Sequence, residues 1–364
     1  MRIFRYVQFI VAYITRLINA NTHKIKQDLT GKTAVVTGAN VGLGFYTALH
    51  LARNGADVIL ACRNSNKCHR AARKIRGNIT KEPTKGSAGV EIVDLASFDS
   101  VKDFANRVSE RYKETGLDIL VLNAGFISTG LFLTDDGLET QWQVNHVSQM
   151  YLYERLQDAL LLAASKRGMI YLYSLSPHLF FFPQINTYIQ SGHATVTAVS
   201  SAAHYRAQTI PMSISDINSN EKDYVPFGRY GETKLANVLF AMEAQRRVDR
   251  LGKNVYVNSL HPGMVATDFV REENVKVFVG EYFGKKLYQF IKKVVADVAW
   301  DSETASLTQL YTAVSPEIHD KNIKATYFHP IARSVTRTSI LATSENAEKL
   351  WKKTEELLRS KGML

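Results

Sequence analysis

Tyr230 and Lys234 stand four residues apart in Tyr230-Gly231-Glu232-Thr233-Lys234, a spacing that puts both on one face of a helix. An ammonium beside a phenol favours the phenolate, drawing a group of ordinary pKa ~10 toward working pH. A phenol tuned this way can give or take a proton at an alcohol or carbonyl oxygen. The pattern alone is common by chance, but here it opens a strongly helical run over 235–247. Upstream, Ser200 and Ser201 close an apolar β-branched stretch, and the residues alone do not choose between the two hydroxyls.

A second group of residues suits a phosphorylated cofactor. Gly38, Gly42 and Gly44 punctuate Thr37-Gly38-Ala39-Asn40-Val41-Gly42-Leu43-Gly44, between an apolar strand-like run and a helical one. Glycine there lets the backbone turn tightly and lets a pyrophosphate reach the amides at a helix N-terminus. The spacing G-x-x-x-G-x-G departs from the commoner dinucleotide fingerprint. About twenty residues on, where an acid would hold the ribose hydroxyls of NAD, stand Cys62 and Arg63. A guanidinium grips a phosphate, so the position suits NADP(H), with NAD(H) the less favoured alternative. Val41 supplies no second cation within the loop.

Such residues act only on a frame that assembles them. From Lys32 onward, strand-like runs at 33–36, 57–61, 90–93 and 118–122 alternate with amphipathic stretches such as 100–112. Later strands are expected at 195–199, 254–258 and 325–328. Parallel strands need crossover connections, so the alternation predicts an α/β fold, a doubly wound parallel sheet of Rossmann type in a single domain over 29–364. The 45% hydrophobic content gives ample core material. Two cysteines, Cys62 and Cys68, are too few for a disulfide framework and have no metal-ligand company, so no metal is expected and a reducing compartment is the natural reading. The net charge of +11 reads as cations spread along the chain, which argues against a nucleic-acid partner.

Residues 1–28 form a separate segment. Ile3, Phe4, Val7, Ile10, Val11, Ile14, Leu17 and Ile18 recur at helical spacing, with Arg2, Arg5, Gln8, Arg16 and Asn19 opposite. The charge-free stretch at 6–15 is shorter than the roughly 17–25 residues of a membrane span. An amphipathic helix lying on a membrane surface fits the pattern, against a signal anchor or a helix folded onto the protein.

The motifs Gly38-x-x-x-Gly42-x-Gly44, Asn123-Ala124-Gly125, Val144-Asn145-His146, Val199-Ser200-Ser201-Ala202-Ala203-His204, Tyr230-x-x-x-Lys234 and His261-Pro262-Gly263-x-Val265-x-Thr267 resemble those of the classical short-chain dehydrogenase/reductases. The wording TGANVGLG, TKLANVLF and LHPGMVAT is similar to the retinol dehydrogenase and WW-domain-containing oxidoreductase branch, although no WW domain is present. The resemblance runs from about Lys32 to the last helix.

It implies catalytic roles for Asn145, Ser201, Tyr230 and Lys234: Tyr230 as general acid/base, Lys234 tuning it and holding the nicotinamide ribose, Ser201 binding the substrate oxygen, and Asn145 anchoring a water that leads to Lys234. Cofactor contacts are implied for Gly38, Asn40, Gly42, Leu43, Gly44, Arg63, Asp94 (against adenine), Leu95, Asn123, Ala124, Gly125, Tyr230, Lys234, Pro262, Gly263, Val265 and Thr267. His204 and His261 read as packing or polar-loop residues despite their motifs. The endoplasmic reticulum is the implied membrane, with the cytoplasm as the alternative.

Three departures stand out. Thr233 replaces the family's usual Ser, the Ser201-to-Tyr230 interval is long, and an apolar stretch at 169–192 interrupts an otherwise continuous family sequence. That insertion reads as a gene-model artefact or alternative isoform in preference to a genuine loop. After Thr267, Phe283, Leu287, Phe290, Ile291, Val294 and Val298 form an apolar face that either covers a substrate or packs on the sheet. The expected activity is reversible hydride transfer between NADP(H) and an apolar alcohol or carbonyl of the retinoid, steroid or fatty-aldehyde class. The alternatives are a catalytically idle nucleotide-binding scaffold and an extended-family epimerase or dehydratase. A homo-oligomer is compatible with either outcome.

Overall fold

Thr33-Ala34-Val35-Val36-Thr37 is β1 (Thr33–Thr37), a β-branched run buried along its whole length. Burial on both faces is what a central strand of a parallel sheet requires. The structure, a computed structural model, describes residues 27–80, 86–173, 185–263, 300–336 and 338–364. The N-terminal stripe, Val265, Thr267 and the face expected over 283–298 lie outside the described residues.

Alternation continues through α1 (Gly42–Arg53), β2 (Asp57–Cys62), α2 (Ser65–Ile79), β3 (Ser87–Ile92), α3 (Phe98–Arg111) and β4 (Ile119–Leu122). A one-turn helix, Thr140–Trp142, widens into a π-turn, Gln143–Val147, before α4 (Ser148–Ser165). An antiparallel hairpin follows, β5 (Arg167–Tyr173) with β6 (Ile185–Ser191). Then come β7 (Ala194–Val199), α5 (Pro226–Arg250), β8 (Val255–Leu260), α6 (Ser302–Val314), β9 (Tyr327–His329), β10 (Arg333–Val335) and α7 (Ser344–Ser360).

The main sheet has the order β10-β9-β8-β7-β4-β1-β2-β3, parallel except for β10 against β9. Strand residues alternate between two cores. Val35, Ile59, Leu120 and Val196 pack with α3, α4 and α5, whereas Val36, Leu60 and Val121 pack with α1, α2 and α6. Helix α7 closes over α5, where Trp351 stacks on Phe240 with ring centroids 5.8 Å apart. Among the described residues no helix is long and apolar enough to cross a membrane.

The sequence reading needs four corrections. β9 starts at Tyr327, not 325, because Ala325 takes a positive φ of 48° that a strand does not allow. β3 begins at Ser87, three residues early, where Ser87 N donates to Ala56 O and extends the pairing. The cations are not evenly spread. Arg63, Lys67, Arg70, Arg73, Lys74 and Arg76 fall in one exposed stretch, on or beside α2, with no acid between Cys62 and Thr80. Finally, Cys62 and Cys68 are joined as a disulfide. The β2–α2 turn folds six residues back on themselves and leaves their Cα atoms 6.0 Å apart, a geometry that a count of cysteines does not register.

The outer strand β3 has guanidinium groups along its free side: Arg76 Nε donates to Ala88 O at 2.9 Å and Arg107 Nη2 to Ile92 O at 2.8 Å. The hairpin joins the domain through a narrow neck, where Gly192 N donates to Lys166 O at 2.5 Å. A Cβ on Gly192 would lie 2.3 Å from that same oxygen, so only glycine fits.

Candidate active site

The strand order reverses between β1 and β4, and the turns leaving those two strands meet there. In open α/β sheets this crevice is where ligands bind. Gly38 turns the chain after β1 with φ +67°, and a Cβ on it would lie 3.1 Å from Ala124 Cα. A Cβ on Gly44 would come within 2.5 Å of Asn123 Nδ2. Helix α1 starts after an extended Val41 with no side-chain cap and no acid in its first turn. Its first amides are thus left for an anion. Asn40 and Leu43 flank this turn, half-buried.

Side chains that the sequence reading passed over hold the second turn. Thr37 Oγ1 accepts from Asn123 N and Ala124 N, both at 2.9 Å, and Gln149 Nε2 donates to Ala124 O at 2.7 Å. Asn123 Nδ2 donates to Thr37 O at 2.7 Å, and Gln309 Nε2 donates to Asn123 Oδ1 at 3.1 Å. Gln309 comes from α6, far along the chain, so no local pattern could have shown it.

At the ends of β2 and β3 stand the residues expected to meet the adenosine half. Arg63 is exposed, in the loop that the Cys62–Cys68 bond closes. Asp94 folds into a turn, its Oδ1 accepting from Ala96 N at 2.9 Å. Leu95 is buried, and its carbonyl accepts from Ser148 Oγ at 2.6 Å. Beyond β8, Pro262 is buried and Gly263 takes φ +95° with its N–H donated to His261 Nδ1 at 3.1 Å.

The residues expected to carry the chemistry gather at the carboxyl end of β7. Ser200 is buried and donates to Lys234 O at 2.6 Å, a structural bond that commits its proton. Ser201 is half-buried, accepts from Ala203 N at 3.2 Å and hydrogen-bonds the Tyr230 phenol. This geometry separates two serines that the sequence left equal. Helix α5 approaches the turn closely because residue 231 has no side chain: a Cβ there would lie 2.9 Å from Ala203 O. His204, fully buried, brings Nδ1 to 2.7 Å from Ser201 O. A carbonyl only accepts, so Nδ1 carries the proton. Burial pushes this imidazole down to about 4, which keeps it neutral. His261 is likewise pushed to about 3 by burial and by neighbouring His329.

Lys234 Nζ lies 5.4 Å from the Tyr230 ring centroid and donates to Val199 O at 3.1 Å. Burial brings the ammonium down to about 8 and pushes the phenol up, while the bond from Ser201 opposes the latter. Desolvation thus dominates the phenol's acidity at this site. Asn145, on the π-turn, donates to Phe126 O at 2.9 Å and Thr233 Oγ1 at 3.2 Å, and its Oδ1 accepts from Phe126 N. Thr233 donates to Tyr230 O at 2.8 Å, so the hydroxyl kept at this position ties Asn145 to the helix of Tyr230.

Gly125 faces this group. A Cβ on it would lie 2.9 Å from Lys234 Nζ and 3.3 Å from Asn145 Oδ1. The lysine tip can move aside, so Gly125→Ala should change melting temperature little yet displace the amine. A misplacement of about 1 Å can cost on the order of 100-fold in rate. Comparing kcat with the thermal midpoint checks this, and an unchanged kcat would show that the amine position is immaterial.

A family model described as short chain dehydrogenase matches residues 32–218. Retinol dehydrogenase 13 of Homo sapiens is 31% identical over 335 residues, covering 92% of this chain and 86% of that protein. The WW domain-containing oxidoreductase of Homo sapiens is 30% identical, over 92% of this chain and 70% of its own. Among solved structures, a putative uncharacterized protein from Mycobacterium paratuberculosis is similar with a TM-score of 0.61 at 26% identity, over 91% of this chain and 95% of that one.

Proposed function

The chain belongs to the short-chain dehydrogenase/reductase family, in its retinol dehydrogenase branch, and from that premise we propose that it transfers a hydride between NADP(H) and an apolar alcohol or carbonyl. The carrying observation is the buried Tyr230 phenol, hydrogen-bonded by Ser201 and flanked by Lys234, beside the crevice where β1 and β4 diverge. Family membership makes it an oxidoreductase acting on CH–OH groups with a nicotinamide cofactor.

The residues fit that cofactor. Gly38 and Gly44 leave a cradle that a Cβ would fill, beside an uncapped helix N-terminus. Gly38, Asn40, Gly42, Leu43 and Gly44 would hold the pyrophosphate, with Asp94 and Leu95 toward the adenine and Asn123, Ala124, Gly125, Pro262 and Gly263 toward the nicotinamide. When bound, the nicotinamide supplies or accepts the hydride. Tyr230 gives or takes the oxygen proton, Ser201 steadies the oxygen, and Lys234 balances charge on the phenol. Asn145 holds the backbone at Phe126 and, through Thr233, the helix of Tyr230.

Arg63 supports the choice of NADP(H), being an exposed cation at the end of β2 with no carboxylate in its loop. Arg63→Asp should weaken NADPH by about 1.5–3 kcal/mol and leave NADH little changed. Cofactor titrations of both proteins measure it, and equal affinities in the unmutated enzyme would defeat the assignment. The substrate class is tested by a panel of retinoid, steroid and aliphatic aldehydes with each cofactor. Failure of all of them would favour the idle scaffold. The apolar stripe over 1–19 supports a further reading, that the N-terminus rests on a membrane surface, with the endoplasmic reticulum as its site.

A further inference from the structure

Helix α2 carries charge that no described carboxylate pairs with. Six lysines and arginines and no acid lie between Cys62 and Thr80, against a net charge of +11 for the whole chain. Arg63, Lys67, Arg70, Arg73, Lys74 and Arg76 are all exposed, while Cys68, Ala71, Ala72 and Ile75 turn to the core. Among the described residues none of the six stands in an ion pair with a carboxylate, although pairs are frequent on other helices, as between Lys352 and Glu348. Lys67 and Arg70, Arg70 and Lys74, and Arg73 and Arg76 stand at spacings where like charges destabilise a helix. Arg63 alone is placed for the cofactor, and the other cations run away from that site down the helix.

The helix ends where the N-terminal segment comes into the domain. Leu29 N donates to Asn54 O at 2.7 Å, and neighbouring Arg53 Nη2 donates to Asn78 Oδ1 at 3.1 Å in the last turn of α2. Leu29 also packs in one core with Cys68, Ala72 and Ile75 of that helix. Twenty-six residues precede Gln27, and their sequence holds the apolar stripe flanked by Arg2, Arg5 and Arg16.

We infer that the exposed face of α2 is a docking surface for an anionic lipid bilayer, fixing the domain's orientation beside a membrane-resting N-terminus. The orientation rests on the N-terminal reading above; the charge complementarity does not. Cations at such a surface each contribute about fivefold to partitioning at modest ionic strength, and salt weakens them.

The test is flotation of the full-length protein with vesicles of phosphatidylcholine alone and of phosphatidylcholine with phosphatidylserine. A combined Arg70→Gln, Arg73→Gln, Lys74→Gln variant should partition on the order of 100-fold less onto the anionic vesicles and bind NADPH unchanged, which also shows that it is folded. An Ile10→Asp, Ile14→Asp variant probes the N-terminus separately. If that variant floats like the wild type while the glutamine variant sinks, the N-terminal reading fails and the α2 surface stands. If the glutamine variant floats like the wild type, the α2 surface is wrong. Loss of NADPH affinity in step with vesicle affinity would overturn it in favour of an extended cofactor site. Wild-type binding to single-stranded RNA with indifference to anionic vesicles would overturn it in favour of a nucleic-acid surface.

Discussion

Tyr230→Phe should lower kcat by at least about 100- to 10,000-fold while cofactor affinity stays close to that of the wild type. The phenol is the group that Ser201 hydrogen-bonds and that stands beside Lys234, and phenylalanine keeps its buried ring while removing the transferable proton. Ser201 cannot take over, because its hydroxyl is a far weaker acid and already serves the turn at Ala203. The small loss expected in binding follows from the cradle, which consists of backbone at Gly38 to Gly44 and owes nothing to the phenol. Single-turnover kinetics with pre-bound cofactor separate the two effects. Wild-type turnover in a folded Tyr230→Phe protein would remove the phenol from the mechanism.

Lys234→Met should do two things at once: lower turnover by a comparable factor and stabilise the cofactor-free protein. The ammonium is buried to 3% exposure, with burial bringing its pKa from 10.5 to about 8. A difference of that size corresponds to roughly 3 kcal/mol held against folding. The sign follows from proton binding. Between pH 8 and 10.5 the unfolded chain holds a proton on this lysine that the folded chain has released, so stability climbs with pH across that window. Below pH 8 both states are protonated and the full penalty stands. The stability gained by methionine should therefore be largest below pH 8 and fade toward pH 10.5. Val199 O keeps a donor in Asn237 Nδ2 at 3.1 Å, so no orphaned carbonyl offsets the gain. Chemical denaturation at several pH values measures it, and a variant less stable than wild type at neutral pH would show that the ammonium is better solvated than its burial implies.

The parallel sheet was legible because β1, β2 and β4 are unbroken apolar runs joined by helices of clear periodicity. Tyr230, Lys234 and the glycine turn were legible for a similar reason, since their constraints act within one helical turn or one loop. What stayed hidden depends on distance in sequence. Gln309 reaches Asn123 across 186 residues, and the distinction between Ser200 and Ser201 depends on which one α5 takes up. The Cys62–Cys68 bond was missed because cysteines were counted rather than placed on a β–turn–α corner. The basic face of α2 was missed because a whole-chain average dilutes a local excess.

Both outer strands bear on how copies of this protein can meet. A strand with free amides and carbonyls is a template on which a foreign segment can add, and repeated addition leads to fibrils. On the β3 side, Arg76 and Arg107 already occupy carbonyls that an incoming strand would need. On the other side, β10 is three residues long and runs against the grain of the sheet, with Arg333 and Ser334 exposed. Growth of the sheet is thus arrested at both margins. For this eight-stranded sheet, among the described residues, strand-by-strand addition becomes open only after one of its edges has first come undone.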